Sequence, residues 1–187
     1  MAIHAKHDDG DTGPGNGRRV RKSDPAVAAL GDLDELNVHV GLCLQGALAD
    51  GHKDIVEALE PLQAELCTLA AHLGGMGTTF DGSAVARLER QIDAAWAELP
   101  PLEKLILPRG CELACRLHVA RTVCRRAERA IVALADAGAA GSGSGSCKKV
   151  PPEVLRYLNR LSDLLFALAR LANHYAGTGE ETWPQPD

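Results

Sequence analysis

Four arginines fall within nine residues, Arg121, Arg125, Arg126 and Arg129, with Glu128 as the only acid among them. They give this stretch a local charge of +3 in a chain of net charge −5. Arg121, Arg125 and Glu128 stand at i, i+4 and i+7, so a helix places them on one face, and Arg126 and Arg129 continue on the adjoining strip. A guanidinium fork grips phosphate oxygens in pairs, and a triphosphate needs several such donors. Arginines beside an apolar seam can also cover it with their stems while the heads stay in water. Four with one acid to pair them favour an anion site. A second polar group, Asn159, Ser162 and Asp163, recurs at i, i+3 and i+4. Such residues hydrogen-bond across helices or read a base or ribose, and spacing does not separate the two. No Ser–His–Asp set, paired carboxylates or His-x-x-x-His pattern stands anywhere in the chain. His118 adjoins the seam residue Leu117 and reads as structural.

Around these residues the chain reads as helical. It has 187 residues, 45% of them hydrophobic but only 3% aromatic, a balance that suits helix packing better than sheets. Asp32-Leu33-Asp34-Glu35 has the form of a capping box, predicting a helix from Asp32 to about Leu48. A second helix is expected over Asp54–Leu73, with Pro61 kinking it or delaying its regular part. A third is capped by Ser83 and ends near Pro100. Leu105 to Gly110 reads as an apolar loop leading into a helix in preference to a buried strand, because its six residues have no partner run. The arginine helix follows, its seam being Leu113, Leu117, Ala120, Cys124, Ala127, Ile131 and Leu134. Gly138 to Ser146 has linker composition. A fifth helix starts at Pro151 or Pro152, carries a seam of Leu158, Leu161, Leu165, Leu168 and Ala172, and ends near Asn173–Gly177. The expected fold class is therefore all-α, a five-helix bundle in one domain over 1–187, with a loop over 1–25, the bundle over 26–175 and a tail over 176–187.

The first 25 residues are polar and glycine-rich. Composition alone suggests a disordered leader. The sharper reading is a loop whose backbone N–H groups cradle phosphates, with Thr12 and Lys22 as added donors. The mildly acidic balance speaks against a general nucleic-acid binder. There is no run of about 18 apolar residues to span a bilayer, and the start lacks the apolar stretch of a signal peptide. Cys111-x-x-x-Cys115 is too widely spaced for a redox pair and has no second pair to complete a zinc site. A cytoplasmic, reducing location is expected, with neither nucleic acid nor membrane as partner.

Three runs resemble a known family, the PduO-type ATP:cob(I)alamin adenosyltransferases. They are Gly31-Asp32-Leu33-Asp34-Glu35-Leu36-Asn37, the stretch from Leu117 to Arg129, and Tyr157-Leu158-Asn159-Arg160-Leu161-Ser162-Asp163-Leu164-Leu165-Phe166-Ala167-Leu168-Ala169-Arg170. The resemblance implies a five-helix bundle assembled as a homotrimer with active sites between subunits. It implies that ATP, with magnesium carried on its phosphates, gives its 5′-deoxyadenosyl group to cob(I)alamin, and that triphosphate leaves. The corrinoid is itself the nucleophile, so no general base is required. By the same resemblance ATP contacts fall to Arg125, Arg126, Glu128, Arg129 and Asn159, and to Lys6, Thr12, Gly13 and Lys22 of the loop. Arg121, Arg125, Glu128 and Asp34 are the catalytic set, with Asp34 pairing with Arg121 across the subunit interface. Leu105 stands where the family has a phenylalanine that keeps the lower ligand off cobalt. Arg109 stands where the family has a glycine, and Asp11 brings negative charge to the loop. A reductase and a cobalamin-dependent acceptor enzyme are the further partners implied. An alternative reading is a trimer that binds ATP or a cobalamin as carrier or sensor, with weak catalysis.

Overall fold

The computed structural model describes residues 8–13, 17, 19–139 and 150–184. Among them are six helices: α1 (Pro25–Asp50), α2 (Lys53–Leu59), α3 (Leu62–Leu73), α4 (Ser83–Glu98), α5 (Glu112–Ala139) and α6 (Pro152–Tyr175). Two short strands, β1 (Asp11–Thr12) and β2 (Val20–Arg21), pair antiparallel ahead of them. α5 lies between α1 and α6; α4 packs on α6 and α3 on α1. The arginine helix is thus the centre of the bundle.

α1 starts earlier than the capping-box reading predicts. Its N-cap is Asp24, whose carboxylate accepts the Ala26 N–H at 2.8 Å, and Pro25 occupies the first turn. Asp32 and Glu35 are therefore interior helical residues, and their carboxylates are used elsewhere. Gly51, at φ 75°, closes the helix in the left-handed conformation and returns its N–H to Ala47 and Leu48. The predicted second helix is divided at Glu60–Pro61 into α2 and α3, since proline supplies no N–H to continue the ladder. At α4 the cap is Gly82, with Asp81 accepting the Ser83 N–H at 2.9 Å, one position before the expected Ser83.

The seams of α5 and α6 are buried as their spacing requires, from Leu113 to Ile131 and from Leu158 to Ala172, with Leu134 only partly covered. Each fully buried leucine contributes about 1.5–3 kcal/mol against an extended reference chain. Cys43 and Cys124 lie inside this core. Burial pushes the Cys43 thiol up to about 12 and that of Cys124 higher still, so both act as small apolar side chains. α5 runs on through Gly138, where linker composition begins, and 140–149 lie outside the described residues. No described helix is long and apolar enough to cross a membrane. The segment expected to be an apolar loop is more ordered than that: Ile106 forms an antiparallel bridge with Thr182 of the tail.

Candidate active site

α5 presents its arginines along the grooves it forms with α1 and α6. On the α6 side the two helices run antiparallel, with the Cys124 thiol on the Leu158 carbonyl at 3.3 Å. One turn further along, Asn159 donates from Nδ2 to Glu128 at 3.4 Å. The Ser162 hydroxyl donates to the Asn159 carbonyl at 3.0 Å, and Asp163 accepts from Arg160 at 2.6 Å. Ser162 and Asp163 therefore serve α6 itself, while the Asn159 amide faces the arginine helix.

Arg125 and Arg129 are exposed, and among the described residues neither has an acid within ion-pair distance. Arg121 is half-buried. Its guanidinium lies 5.8 Å from the centre of the Phe166 ring, and its Nε has no hydrogen-bond partner. Burial, and then the Arg125 charge, pull its pKa below the usual arginine range. The Glu128 carboxylate, about two turns along the same face, is directed to Asn159 instead. These groups form a cationic face about two turns long on α5, open to an anion.

Arg126 stands apart from this face. Its Nε donates to Asp32 at 3.0 Å and its Nη2 to Glu35, both on α1. The hydrogen bond to Asp32, then the nearby carboxylates, hold its pKa above the usual value. Two of the three acids in the first motif thus serve one arginine of the cluster within the same chain. The third, Asp34, is exposed and unpaired among the described residues. It lies on the side of α1 that also carries the exposed Val38 and Leu42, with Val119 of α5 likewise exposed.

In the amino-terminal loop, β1 and β2 place Thr12 opposite Val20, with Gly13 following, and the Lys22 N–H bonds the Gly10 carbonyl at 2.9 Å. The charge on Asp11 is met by Arg21 at 2.8 Å, and Asp9 holds Arg19 at 2.6 Å. Lys6 lies outside the described residues. Leu105 is exposed at the other end of α5, before the turn in which Arg109 pairs with Glu181 at 2.9 Å.

His118 is buried beside Phe166, with ring centres 6.0 Å apart, and neither ring nitrogen has a partner. Burial, reinforced by the Arg121 charge, lowers its pKa to about 4, so the imidazole is neutral in the fold. The unfolded chain takes up a proton near 6.5 and the folded chain does not. The resulting stability is full above pH 6.5 and is lost progressively as pH falls from 6.5 to 4, an amount of about 3 kcal/mol. His118→Leu is expected to remove that part of the slope in urea midpoints measured between pH 7 and 4; an unchanged slope would count against a buried neutral imidazole.

Two residues with evident roles were not singled out from sequence. Arg170 and Asn173, near the end of α6, are buried polar side chains that hold other segments in place. An arginine inside the run Phe166-Ala167-Leu168-Ala169-Arg170-Leu171-Ala172 was the available signal. A separate cleft between α3 and α4 is lined by Glu65, Phe80 and Arg87. There both Glu65 carboxylate oxygens accept from Arg87 Nη2, and Oε2 accepts also from the Tyr157 hydroxyl, at 2.7–2.9 Å, while Arg87 Nη1 donates to Gln91, an arrangement that satisfies itself.

Known proteins resemble this chain in sequence and fold. The sequence profile of the cobalamin adenosyltransferase family matches residues 3–172. A cobalamin adenosyltransferase of Cupriavidus metallidurans is 41% identical over 177 residues, covering 94% of this chain and 90% of that one. The corrinoid adenosyltransferase PduO of Salmonella typhimurium is 39% identical over 175 residues; the match takes in 91% of this chain and 49% of that protein. Among solved structures, a variant PduO-type ATP:corrinoid adenosyltransferase from Lactobacillus reuteri, complexed with cobalamin and ATP, superposes with a TM-score of 0.84 at 32% identity over 96% of this chain and 97% of that one. With a match that runs from the amino-terminal loop through the arginine helix to the end of α6, the chain belongs to the cobalamin adenosyltransferase family.

Proposed function

We propose that the protein transfers the 5′-deoxyadenosyl group of ATP to cob(I)alamin, giving adenosylcobalamin and triphosphate. The observation that carries this reading is the unneutralised face of Arg121, Arg125 and Arg129 beside Asn159, in a chain whose relatives bear that activity in their names. The cobalt electron pair forms the bond to C5′, and the pair of the breaking C5′–O bond leaves on triphosphate. What the protein must supply is placement of ATP and neutral surroundings for the departing phosphates. Arg125 and Arg129 take the phosphates, aided by Thr12, Gly13, Lys22 and Lys6 of the loop, with magnesium travelling on ATP. Because Arg21 and Arg19 meet the charges of Asp11 and Asp9, the loop does not set those two carboxylates bare against triphosphate. Glu128 orients the Asn159 amide towards adenosine. Arg126 contributes through its grip on α1, which leaves it a supporting part in the ATP site. Leu105 faces the corrinoid.

The whole chain acts as one unit of this kind, assembled as a homotrimer with sites between subunits, in the cytoplasm, served by a reductase and delivering product to a cobalamin-dependent enzyme. Asp34 supports the trimer: it has no partner among the described residues, and the exposed Val38 and Leu42 continue its side of α1 as apolar surface of the kind interfaces cover. Paired with Arg121 of a neighbour, it would relieve that arginine. Asp34→Asn is expected to raise the subunit dissociation constant about thirtyfold, equivalent to about 2 kcal/mol. Sedimentation would read this directly, and an unchanged trimer with normal kinetics would contradict it.

The function is tested by incubating the protein with ATP, magnesium and chemically reduced cob(I)alamin. Adenosylcobalamin should appear in the absorbance spectrum. Measurable ATP binding with no product would instead favour the carrier or sensor reading.

A further inference from the structure

The tail after α6 is fastened more firmly than its polar composition suggests. Arg170 has a fully buried side chain that ties together three segments. Its Nε and Nη2 donate to the two carboxylate oxygens of Glu180 at 2.6 and 2.9 Å. Nη2 also donates to the Pro100 carbonyl at 3.0 Å, and the guanidinium carbon lies over the Trp96 ring, 4.8 Å from its centre. One side chain therefore joins the start of the α4–α5 connection to the tail. Just beyond these two anchors the segments pair with each other. Trp183 N–H donates to the Leu105 carbonyl and Leu107 N–H to the Glu181 carbonyl, both at 2.8 Å, with Ile106 opposite Thr182. In an antiparallel pair, directly opposed residues place their side chains on the same face. Leu105 and Trp183 are so opposed, and both face solvent, at 65% and 45% exposure.

We propose that Arg170 and Glu180 are positioning residues of the corrinoid site, which hold Trp183 beside Leu105 so that the indole supplies the aromatic surface leucine lacks. This rests on the reading of Leu105 as corrinoid-facing. Two backbone hydrogen bonds return less free energy than ordering the four residues from Glu180 to Trp183 costs. The ribbon alone is therefore too weak to hold its register, and the buried ion pair is what keeps it. Once formed, that pair is expensive to break, because Arg170 left alone is a charge without solvent. The ATP face at Arg125, Arg129 and Asn159 has no contact with the tail among the described interactions, so the two substrates should respond separately.

The test compares full-length wild type with Glu180→Ala, Trp183→Ala and Trp183→Phe in steady-state transfer, varying ATP and cob(I)alamin in turn. Because Glu180→Ala leaves the buried Arg170 without its partner, Trp183→Ala, at an exposed position, supplies the test that does not depend on bundle stability. Glu180→Ala and Trp183→Ala are expected to raise the KM for cob(I)alamin about tenfold or more, with the KM for ATP changed by less than about twofold. Trp183→Phe should restore most of the loss. In Glu180→Ala the Leu107 and Trp183 amides should also exchange hydrogen faster. A wild-type corrinoid KM in Glu180→Ala, or an ATP KM that rises in step with it, overturns the proposal. Wild-type protein that transfers nothing would sink the reading of the site and this role with it. An active wild type with indifferent variants would sink the positioning role alone.

Discussion

Arg125→Ala is expected to slow adenosyl transfer by about a hundredfold to a thousandfold in kcat, the usual effect of removing one preorganised donor from developing negative charge. The reasoning starts from what Arg125 does not do in the fold. Its head is exposed, no described acid pairs with it, and the seam at that turn is made by its neighbours Cys124 and Ala127, both fully buried. Truncation therefore opens no cavity, and stability should move by less than about 0.5 kcal/mol. Removing a like charge one turn away also eases the half-buried Arg121. Arg125→Lys should recover only part of the rate, since an ammonium cannot bridge two phosphate oxygens in a plane. The measurements are the rate of adenosylcobalamin formation at saturating ATP, the sedimentation profile and the thermal midpoint. Retained activity would remove Arg125 from the phosphate site; a disrupted oligomer would show that its role is assembly.

Gly110→Ala has the largest expected effect on stability, about 3 kcal/mol or more. Gly110 sits at φ 133°, in the region that favours glycine, immediately before α5. A Cβ there would lie 1.9 Å from the Asn173 Oδ1 and 2.5 Å from its Nδ2. Asn173 cannot give way, because it is buried and already spans the turn: Oδ1 accepts the Cys111 N–H at 2.9 Å and Nδ2 donates to the Arg109 carbonyl at 3.0 Å. Strained backbone accounts for about 1–3 kcal/mol, and each buried group left unpaired for about 1–3 kcal/mol more. The consequence reaches function, since this turn joins the Leu105 segment to the arginine helix. Urea unfolding should show the loss as a lower midpoint with an unchanged slope. A midpoint matching wild type would mean that Asn173 is free to move and that the turn is not locked.

The Gly110 turn and the arginine face are each completed by side chains from distant stretches of chain, beyond the reach of any local sequence pattern. Helix existence was legible because it depends on contacts three and four residues apart. The seams of α5 and α6 are buried residue for residue along most of their length. The cationic face was legible for the same reason, as was the resemblance of its motif. Helix starts were less so. The Asp32–Glu35 pattern satisfies a capping box locally, yet the same two carboxylates inside α1 satisfy Arg126, 94 and 91 residues away. Nothing within one helix turn distinguishes those outcomes. The two-residue strands and the bridge at Ile106 were missed because each is too short to show a period.

What the sequence determined by itself was the helical class, the central helix with its arginines, and the likeness to corrinoid adenosyltransferases. Only the tertiary structure decided which arginines remain free. Packing α1 against α5 removes Arg126 from the anion face and leaves Arg125 and Arg129 on it, because a carboxylate neutralises the guanidinium it can reach in space. In the same way, one buried arginine on α6 joins Pro100 to Glu180, and so brings a tryptophan from the tail beside Leu105.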